Sequence, residues 1–308
     1  MNNNIQKFSN KYFTVDGLRR AFIKMKELQT LWFNTGTLCN IECKGCYIES
    51  SPKNDQLLYI NHSDIEKYLD QIFKFKLPVK SIGFTGGEPF MNKHIIKILK
   101  TCLDKNFHVL VLTNAMQPML NRSNDLINLR RYSKLTLRIS LDHYTKIKHE
   151  LIRGKNTWGK ALKGINFLNN NNFKINVASR LLWQGENENE IRVGFKSLFK
   201  KIKLNIDAFD TEQLVLFPEM NNNNNVPEIT TSCWDKLKVN PRDMMCANSR
   251  MIVKRKSTEK ISIVSCTLLP YDKNFDLGDD LLKSHKKVYL NHLHCAKFCV
   301  LGGGNCKK

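Results

Sequence analysis

The sequence predicts an α/β protein built on a parallel sheet, open or curled into a barrel, with a small cysteine-rich tail. Two observations carry the sheet: six β-rich runs lie between about residues 28 and 217, and helical patterns separate them. A third carries the tail. The run Asn221 to Asn225, followed by Val226 and Pro227, has no hydrophobic periodicity, and six of the ten cysteines lie beyond it. A short stretch so rich in cysteine reads as a metal-stapled unit. The expected division is an N-terminal extension over 1–27, a core over 28–220 and the tail over 226–308.

The first strand is expected at Leu31 to Thr35. A helix follows over Ser63 to Phe75, with Ser63 as N-cap and Ile65, Leu69 and Ile72 on one face. The second strand is Ser81 to Thr85. The apolar positions Ile95, Ile98, Leu99 and Cys102 mark the next helix and make Cys102 a buried structural cysteine. The remaining strands are His108 to Thr113, Leu135 to Leu141, Lys174 to Leu182 and Gln213 to Phe217. Trp158 to Asn169 forms a helix between the fourth and fifth strands, with Ala161, Leu162, Ile165 and Leu168 inward. In the tail, Ile252 to Lys254 and Ile261 to Val264 alternate around Ser257-Thr258-Glu259 as a hairpin.

Composition narrows the function classes. The 308 residues suffice for one large domain, or a medium domain and a small one. No apolar run approaches the roughly 18 residues of a membrane helix, so no membrane partner is expected. The polar start after Met1 lacks the apolar core of a secretory signal, and a cytoplasmic location is expected. There, ten cysteines point to metal or catalytic chemistry rather than to disulfides. The net charge of +21 comes from 37 Lys against 12 Arg, beside 34 Asn. That excess reads as codon bias toward A and T. A face that reads nucleic acid would be richer in Arg, so no nucleic-acid partner is expected.

The chemistry starts at Cys39, Cys43 and Cys46, spaced CxxxCxxC in a loop after the first strand. Three thiolates on one loop suit a [4Fe–4S] cube with one iron left open. A zinc knuckle is the alternative and needs a fourth ligand, such as His62 or a tail cysteine. After the second strand comes Thr85-Gly86-Gly87-Glu88-Pro89, whose glycines allow close backbone approach to a ligand. Leu112-Thr113-Asn114-Ala115 follows the third strand. Ser140-Leu141-Asp142 ends the fourth, with Glu150, Arg153-Gly154 and Trp158 behind it.

Together these motifs resemble the radical S-adenosylmethionine superfamily over roughly residues 30 to 217. The resemblance implies a partial (β/α)6 TIM-like barrel with a small C-terminal cysteine-rich domain. It implies that Cys39, Cys43 and Cys46 hold a [4Fe–4S] cluster and act as the catalytic centre. It places Gly86, Gly87 and Glu88 at the methionine end of S-adenosylmethionine, Ser140 near the ribose and Arg153 on the methionyl carboxylate, a bidentate pairing. Asn114 belongs to the Thr-Asn turn, where Ala115 replaces the family's glycine. Tyr47, typical of the subgroup that matures peptides and sulfatases, follows the third cysteine. Gly45 stands where members place an aromatic residue.

The tail resembles the SPASM or Twitch extension that holds auxiliary [4Fe–4S] clusters. Cys246, Cys266, Cys295, Cys299 and Cys306 are the candidate ligands, with Cys233 ranked below them. One auxiliary cluster is expected, because Ile261 replaces a family glycine and the pair is CxxxC; zinc is the alternative. The implied activity is reductive cleavage of S-adenosylmethionine to a 5′-deoxyadenosyl radical, which takes hydrogen from a peptide, protein or small metabolite. A reductase, ferredoxin or flavodoxin would supply the electron. An RNA-modifying relative and a non-catalytic iron–sulfur or zinc scaffold are the competing readings.

Overall fold

The computed structural model describes residues 6–219 and 226–304; the Asn221 to Asn225 run and Cys306 lie outside the described residues. Six strands form the barrel wall: β2 (Thr30–Asn34), β3 (Ser81–Thr85), β4 (His108–Thr113), β5 (Leu135–Ser140), β6 (Lys174–Leu181) and β7 (Leu214–Pro218). They pair in parallel and in sequence order. Each expected strand appears to within a residue or so at its ends.

The crossovers carry helices α1 (His62–Lys74), α2 (Ile95–Asp104), α3 (Gln117–Leu120), α4 (Ser123–Ile127), α5 (Lys146–Arg153), α6 (Trp158–Asn170) and α7 (Glu188–Lys201). Leu31, Phe33, Ile82, Phe84, Val109 and Val111 pack outward against Ile65, Leu69, Ile98 and Ile165 in one core. Each such side chain, fully buried, contributes about 1.5–3 kcal/mol. Cys102 is fully buried there, as expected. The cap of α1 is a correction. Asn61, not Ser63, is the N-cap: its side chain accepts from the Asp64 amide while Asp64 accepts from the Asn61 amide. Ser63 instead donates its hydroxyl to Asn61 Oδ1 at 2.8 Å. The reciprocal pair satisfies two amides that a serine already inside the first turn of the helix could not.

The chain beyond the polyasparagine run returns to the same sheet. Strand β8 (Ser249–Lys254) pairs in parallel with β2, Thr30 opposite Ser249, and β9 (Ile261–Val264) closes the expected hairpin antiparallel to β8. Trp32, Met251, Val253 and Val264 form a second core inside the wall. The N-terminal segment is built into the tail. Strand β1 (Phe22–Ile23) pairs with β10 (Val288–Tyr289), and Ala21 and Ile23 pack with Ile229, Leu268 and Phe298. Arg20 and Glu228, both buried, form an ion pair at 2.5 Å. A short helix, α8 (Cys233–Leu237), and a π-helical turn, Cys295–Leu301, complete the tail. Among the described residues no helix is long and apolar enough to cross a membrane.

Candidate functional site

The C-terminal ends of the strands gather the residues singled out from the sequence. After β2 the chain turns into the cysteine loop, held by the Cys39 amide on the Ser51 carbonyl at 3.0 Å and the Lys44 amide on the Ile152 carbonyl at 2.8 Å. Cys39, Cys43 and Cys46 line one cavity of ≈ 600 Å³ together with Gly86, Gly87, Asn114, Ser140 and Arg153. Burial pushes the Cys39 thiol up to about 12 and raises that of Cys43. Such thiols ionise when a metal takes them.

The glycines of the second motif, which line the cavity, have a further reason beside the expected one. A Cβ at Gly87 would lie 2.1 Å from the Leu38 carbonyl oxygen, and one at Gly86 2.5 Å from that of Gly36. The turn is stitched to the cysteine loop by the Gly87 amide on Gly36 and the Glu88 amide on Leu38, at 2.9 and 3.2 Å. So the glycines admit the neighbouring loop's backbone, which fixes one motif against the other. Glu88 does not line the cavity. Its buried carboxylate accepts from Thr113 Oγ1 and the Asn114 amide, both at 2.8 Å, and from the Phe90 amide at 3.1 Å. Burial raises its pKa to about 7 against the lowering effect of those three donors. Glu88 thus braces the Asn114 turn. Asn114 Nδ2 donates to Asn40 Oδ1 at 2.9 Å and lies 3.8 Å from Cys39 Sγ. Ala115 adopts the left-handed conformation, φ 57°, at the position where the family has glycine.

Arg153 ends α5, is largely buried, and faces Asp142: its Nε lies 2.7 Å from Asp142 Oδ2, an ion-pair contact without hydrogen-bond alignment. Among the described residues its two Nη groups have no partner. Burial disfavours its charge, but Asp142 and the nearby Cys43 and Cys39 outweigh that and raise its pKa. Burial would raise the Asp142 carboxyl, yet Arg153 and Arg180 hold it below the ordinary range. Arg180, at the end of β6, sits on the other side of Asp142 with Nε 3.2 Å from Oδ1. Its Nη1 reaches the Lys44 and Gly45 carbonyls at 3.4 Å. Sequence reasoning missed Arg180; its signal was a charged residue at the mouth end of a strand otherwise flanked by small ones, Ala178-Ser179.

A second cavity of ≈ 640 Å³ adjoins the first, sharing Tyr47, Leu112, Ser140, Arg153 and Arg180. Its far wall is Phe217, Leu268 and Phe298, and the latter two also line a third, small cavity inside the tail. Cys246, Cys266, Cys295 and Cys299 line that third cavity. Burial pushes the Cys246 thiol up to about 11 and raises that of Cys295 well above its ordinary value. Arg250, buried beside them, donates only to carbonyls, with Nη1 2.7 Å from the Cys246 oxygen and Nε 3.1 Å from that of Ser284. Burial lowers its pKa to about 10, while Cys246 and Cys266 favour its charge. Cys233 stands elsewhere, its Sγ 3.3 Å from Thr230 Oγ1. At neither cysteine group, among the described residues, do three side chains close on a point for a single ion.

A family model for the Radical SAM superfamily matches residues 33–197. The chain is 32% identical over 142 residues to the antilisterial bacteriocin subtilosin biosynthesis protein AlbA of Bacillus subtilis (strain 168), covering 46% of this chain and 30% of that protein. It is 27% identical over 154 residues to the 7,8-dihydro-6-hydroxymethylpterin dimethyltransferase of Methanocaldococcus jannaschii, 50% of this chain and 30% of that one. It therefore spans under a third of these curated relatives. Streptococcus suis SuiB bound to S-adenosylmethionine shares the fold at TM-score 0.59 and 15% identity, over 83% of this chain and 65% of SuiB. SuiB bound to precursor peptide SuiA gives TM-score 0.59 and 15% identity over 84% and 64%. The matched stretch covers more than half of the chain and contains the cysteine loop, the Gly86–Gly87 turn and Arg153; the chain belongs to the radical SAM superfamily.

Proposed function

We propose that this chain is a radical S-adenosylmethionine enzyme acting on a peptide, with one auxiliary cluster in its tail. One observation carries the reading: a single cavity is lined by three thiols from one loop, by the Gly86–Gly87 turn and by a buried guanidinium whose Nη groups have no partner among the described residues. These residues fit the cofactor pair. Cys39, Cys43 and Cys46 would hold a [4Fe–4S] cluster, and the Arg153 fork would hold the carboxylate of S-adenosylmethionine through two parallel hydrogen bonds. When bound, the pair supplies one-electron cleavage of a carbon–sulfur bond and a carbon radical for hydrogen abstraction.

The chain's own residues bind, orient and shield. Asp142 keeps Arg153 charged and aimed, Glu88 fixes the turn that carries Asn114, and Ser140 offers a hydroxyl to the ligand's polar edge. Tyr47 and Leu112 wall the cavity against water where it meets the second one. The second cavity, between the two cysteine groups, is the substrate's place. Peptide chemistry is favoured because relatives include a bacteriocin biosynthesis protein and a protein solved with its precursor peptide.

Cys246, Cys266, Cys295 and Cys299 would fully ligate the auxiliary cluster, and the carboxylate-free Arg250 would offset its negative charge. The +21 surface suits an acidic one-electron carrier such as a ferredoxin or flavodoxin. The test is anaerobic reconstitution with iron and sulfide, then reduction with S-adenosylmethionine present. Formation of 5′-deoxyadenosine is expected; a reconstituted, reduced protein that forms none is a scaffold and not an enzyme.

A further inference from the structure

We propose that Arg180 selects the substrate by its charge: it holds a carboxylate that lies beside a large apolar or aromatic group. The inference rests on reading the cysteine cavity as the cofactor site. Asp142 separates two guanidiniums that line both cavities. Arg153 follows Ile152, whose carbonyl accepts from the Lys44 amide of the cysteine loop, and its two Nη groups have no partner among the described residues, so its free fork belongs to the cofactor side. Arg180 lies at the end of β6, beside the Phe217 wall of the second cavity. Its Nε is taken by Asp142 and its Nη1 by two loop carbonyls at 3.4 Å, whereas Nη2 has no partner among the described residues.

The neighbours of Arg180 define what accompanies the anion. In the β6–β7 pairing Arg180 is directly opposite Phe217, and neighbours in register present side chains to the same face. Phe217 stacks on Phe298 with ring centroids 5.8 Å apart and an interplanar angle of 28°. Leu112 and Leu268 extend that apolar wall. Among the described residues Asp142 is the only carboxylate in the cavity's lining, and with the Arg153 fork given to the cofactor, Arg180 is the guanidinium left beside the apolar face. A partly buried cation next to a hydrophobic surface recognises an amphipathic anion, and the neutral isostere leaves its Nη2 group without an anionic partner. The carboxylate can be an acidic side chain next to an aromatic residue or the terminus of an aromatic one.

The test measures affinity on the reconstituted protein with S-adenosylmethionine bound. Three probes are compared: N-acetylphenylalanine, carrying a terminal carboxylate; acetyl-Phe-Asp-amide, carrying a side-chain carboxylate; and acetyl-Phe-Asn-amide, carrying none. Binding of S-adenosylmethionine is measured first on the same sample, and its absence overturns the parent reading and this one with it. The expected result is that one or both carboxylate probes bind at least tenfold tighter than the neutral probe, and the tighter of the two names the source. In Arg180→Gln that ratio should fall below twofold, while affinity for S-adenosylmethionine changes less than threefold. Arg180→Lys, run beside it in case the glutamine variant does not fold, keeps the charge without the fork and should give an intermediate ratio. No carboxylate preference in the unaltered protein, or a preference untouched in either variant, overturns the proposal. So does a tenfold loss of S-adenosylmethionine affinity in Arg180→Gln, which would make Arg180 a cofactor residue.

Discussion

The α-carbon of Gly87 faces the carbonyl oxygen of Leu38 so closely that an added Cβ would stand 2.1 Å from it. The contact joins the two motifs that define the site, the turn after β3 and the cysteine loop after β2. It follows that the spacing between the thiols and the turn is set by backbone touching backbone, with no side chain between that could yield.

Gly87→Ala should therefore be costly although alanine suits the local backbone conformation. Neither carbonyl nor turn can step aside cheaply, and overpacking of this kind costs about 1–3 kcal/mol or more. Thermal or denaturant unfolding of the apoprotein checks this. A stability loss under about 0.5 kcal/mol, small against that overpacking cost, would mean that the two loops are not in contact.

Arg153→Lys should weaken S-adenosylmethionine binding by about 1–3 kcal/mol, the scale of a charge-assisted hydrogen bond. An ammonium keeps the charge beside Asp142 but offers no planar fork. Equilibrium binding to the reconstituted protein reads this directly. An unchanged dissociation constant would place the carboxylate elsewhere.

The tail should lose stability in acid through Glu228. Burial favours its neutral form, but the Val15 amide, Arg20 and the Phe8 amide, at 2.6, 2.5 and 2.6 Å, hold its pKa below the ordinary 4.5. The folded state then binds fewer protons than the unfolded state near that pH, so the stabilisation is complete above about 4.5 and is lost as pH falls through the lowered value. Glu228→Gln should flatten that acid limb and destabilise the protein by about 3 kcal/mol at neutral pH, because the Arg20 charge is left buried and unpaired. Stability measured from pH 7 down to 3 checks both; an acid limb as steep in Glu228→Gln as in the parent would exclude Glu228 as its source.

Much of this was legible in the sequence because it is local. Strands such as Leu135 to Ser140 announce themselves by alternation, and the thiols of Cys39, Cys43 and Cys46 by spacing on one loop. What was not legible is non-local. Nothing between Asn221 and Ser249 says that β8 will pair with β2, nor that Arg20 will meet Glu228, 208 residues later. Arg180 escaped notice for the same reason. Its importance comes from Asp142 on the neighbouring strand's end and from Phe217 across the ladder, and neither lies near it in sequence. The N-cap of α1 went to Asn61 because a capping box needs the right partner three residues on, and Asp64 supplies it.

The tail's metal content follows from the four thiols around one cavity. The reconstituted chain should carry about eight irons, four per cluster, and Cys246→Ser with Cys299→Ser should bring the count to about four. Metal analysis decides it. About four irons with one tightly held zinc in the unaltered chain would make the tail a zinc site.

The most direct measurement combines Cys39→Ala, Cys43→Ala and Cys46→Ala in one chain, reconstituted and reduced beside the unaltered protein. The account predicts that the triple variant forms no 5′-deoxyadenosine from S-adenosylmethionine, yet keeps about four irons and the visible absorption of the tail cluster. Undiminished 5′-deoxyadenosine formation by the triple variant would contradict it.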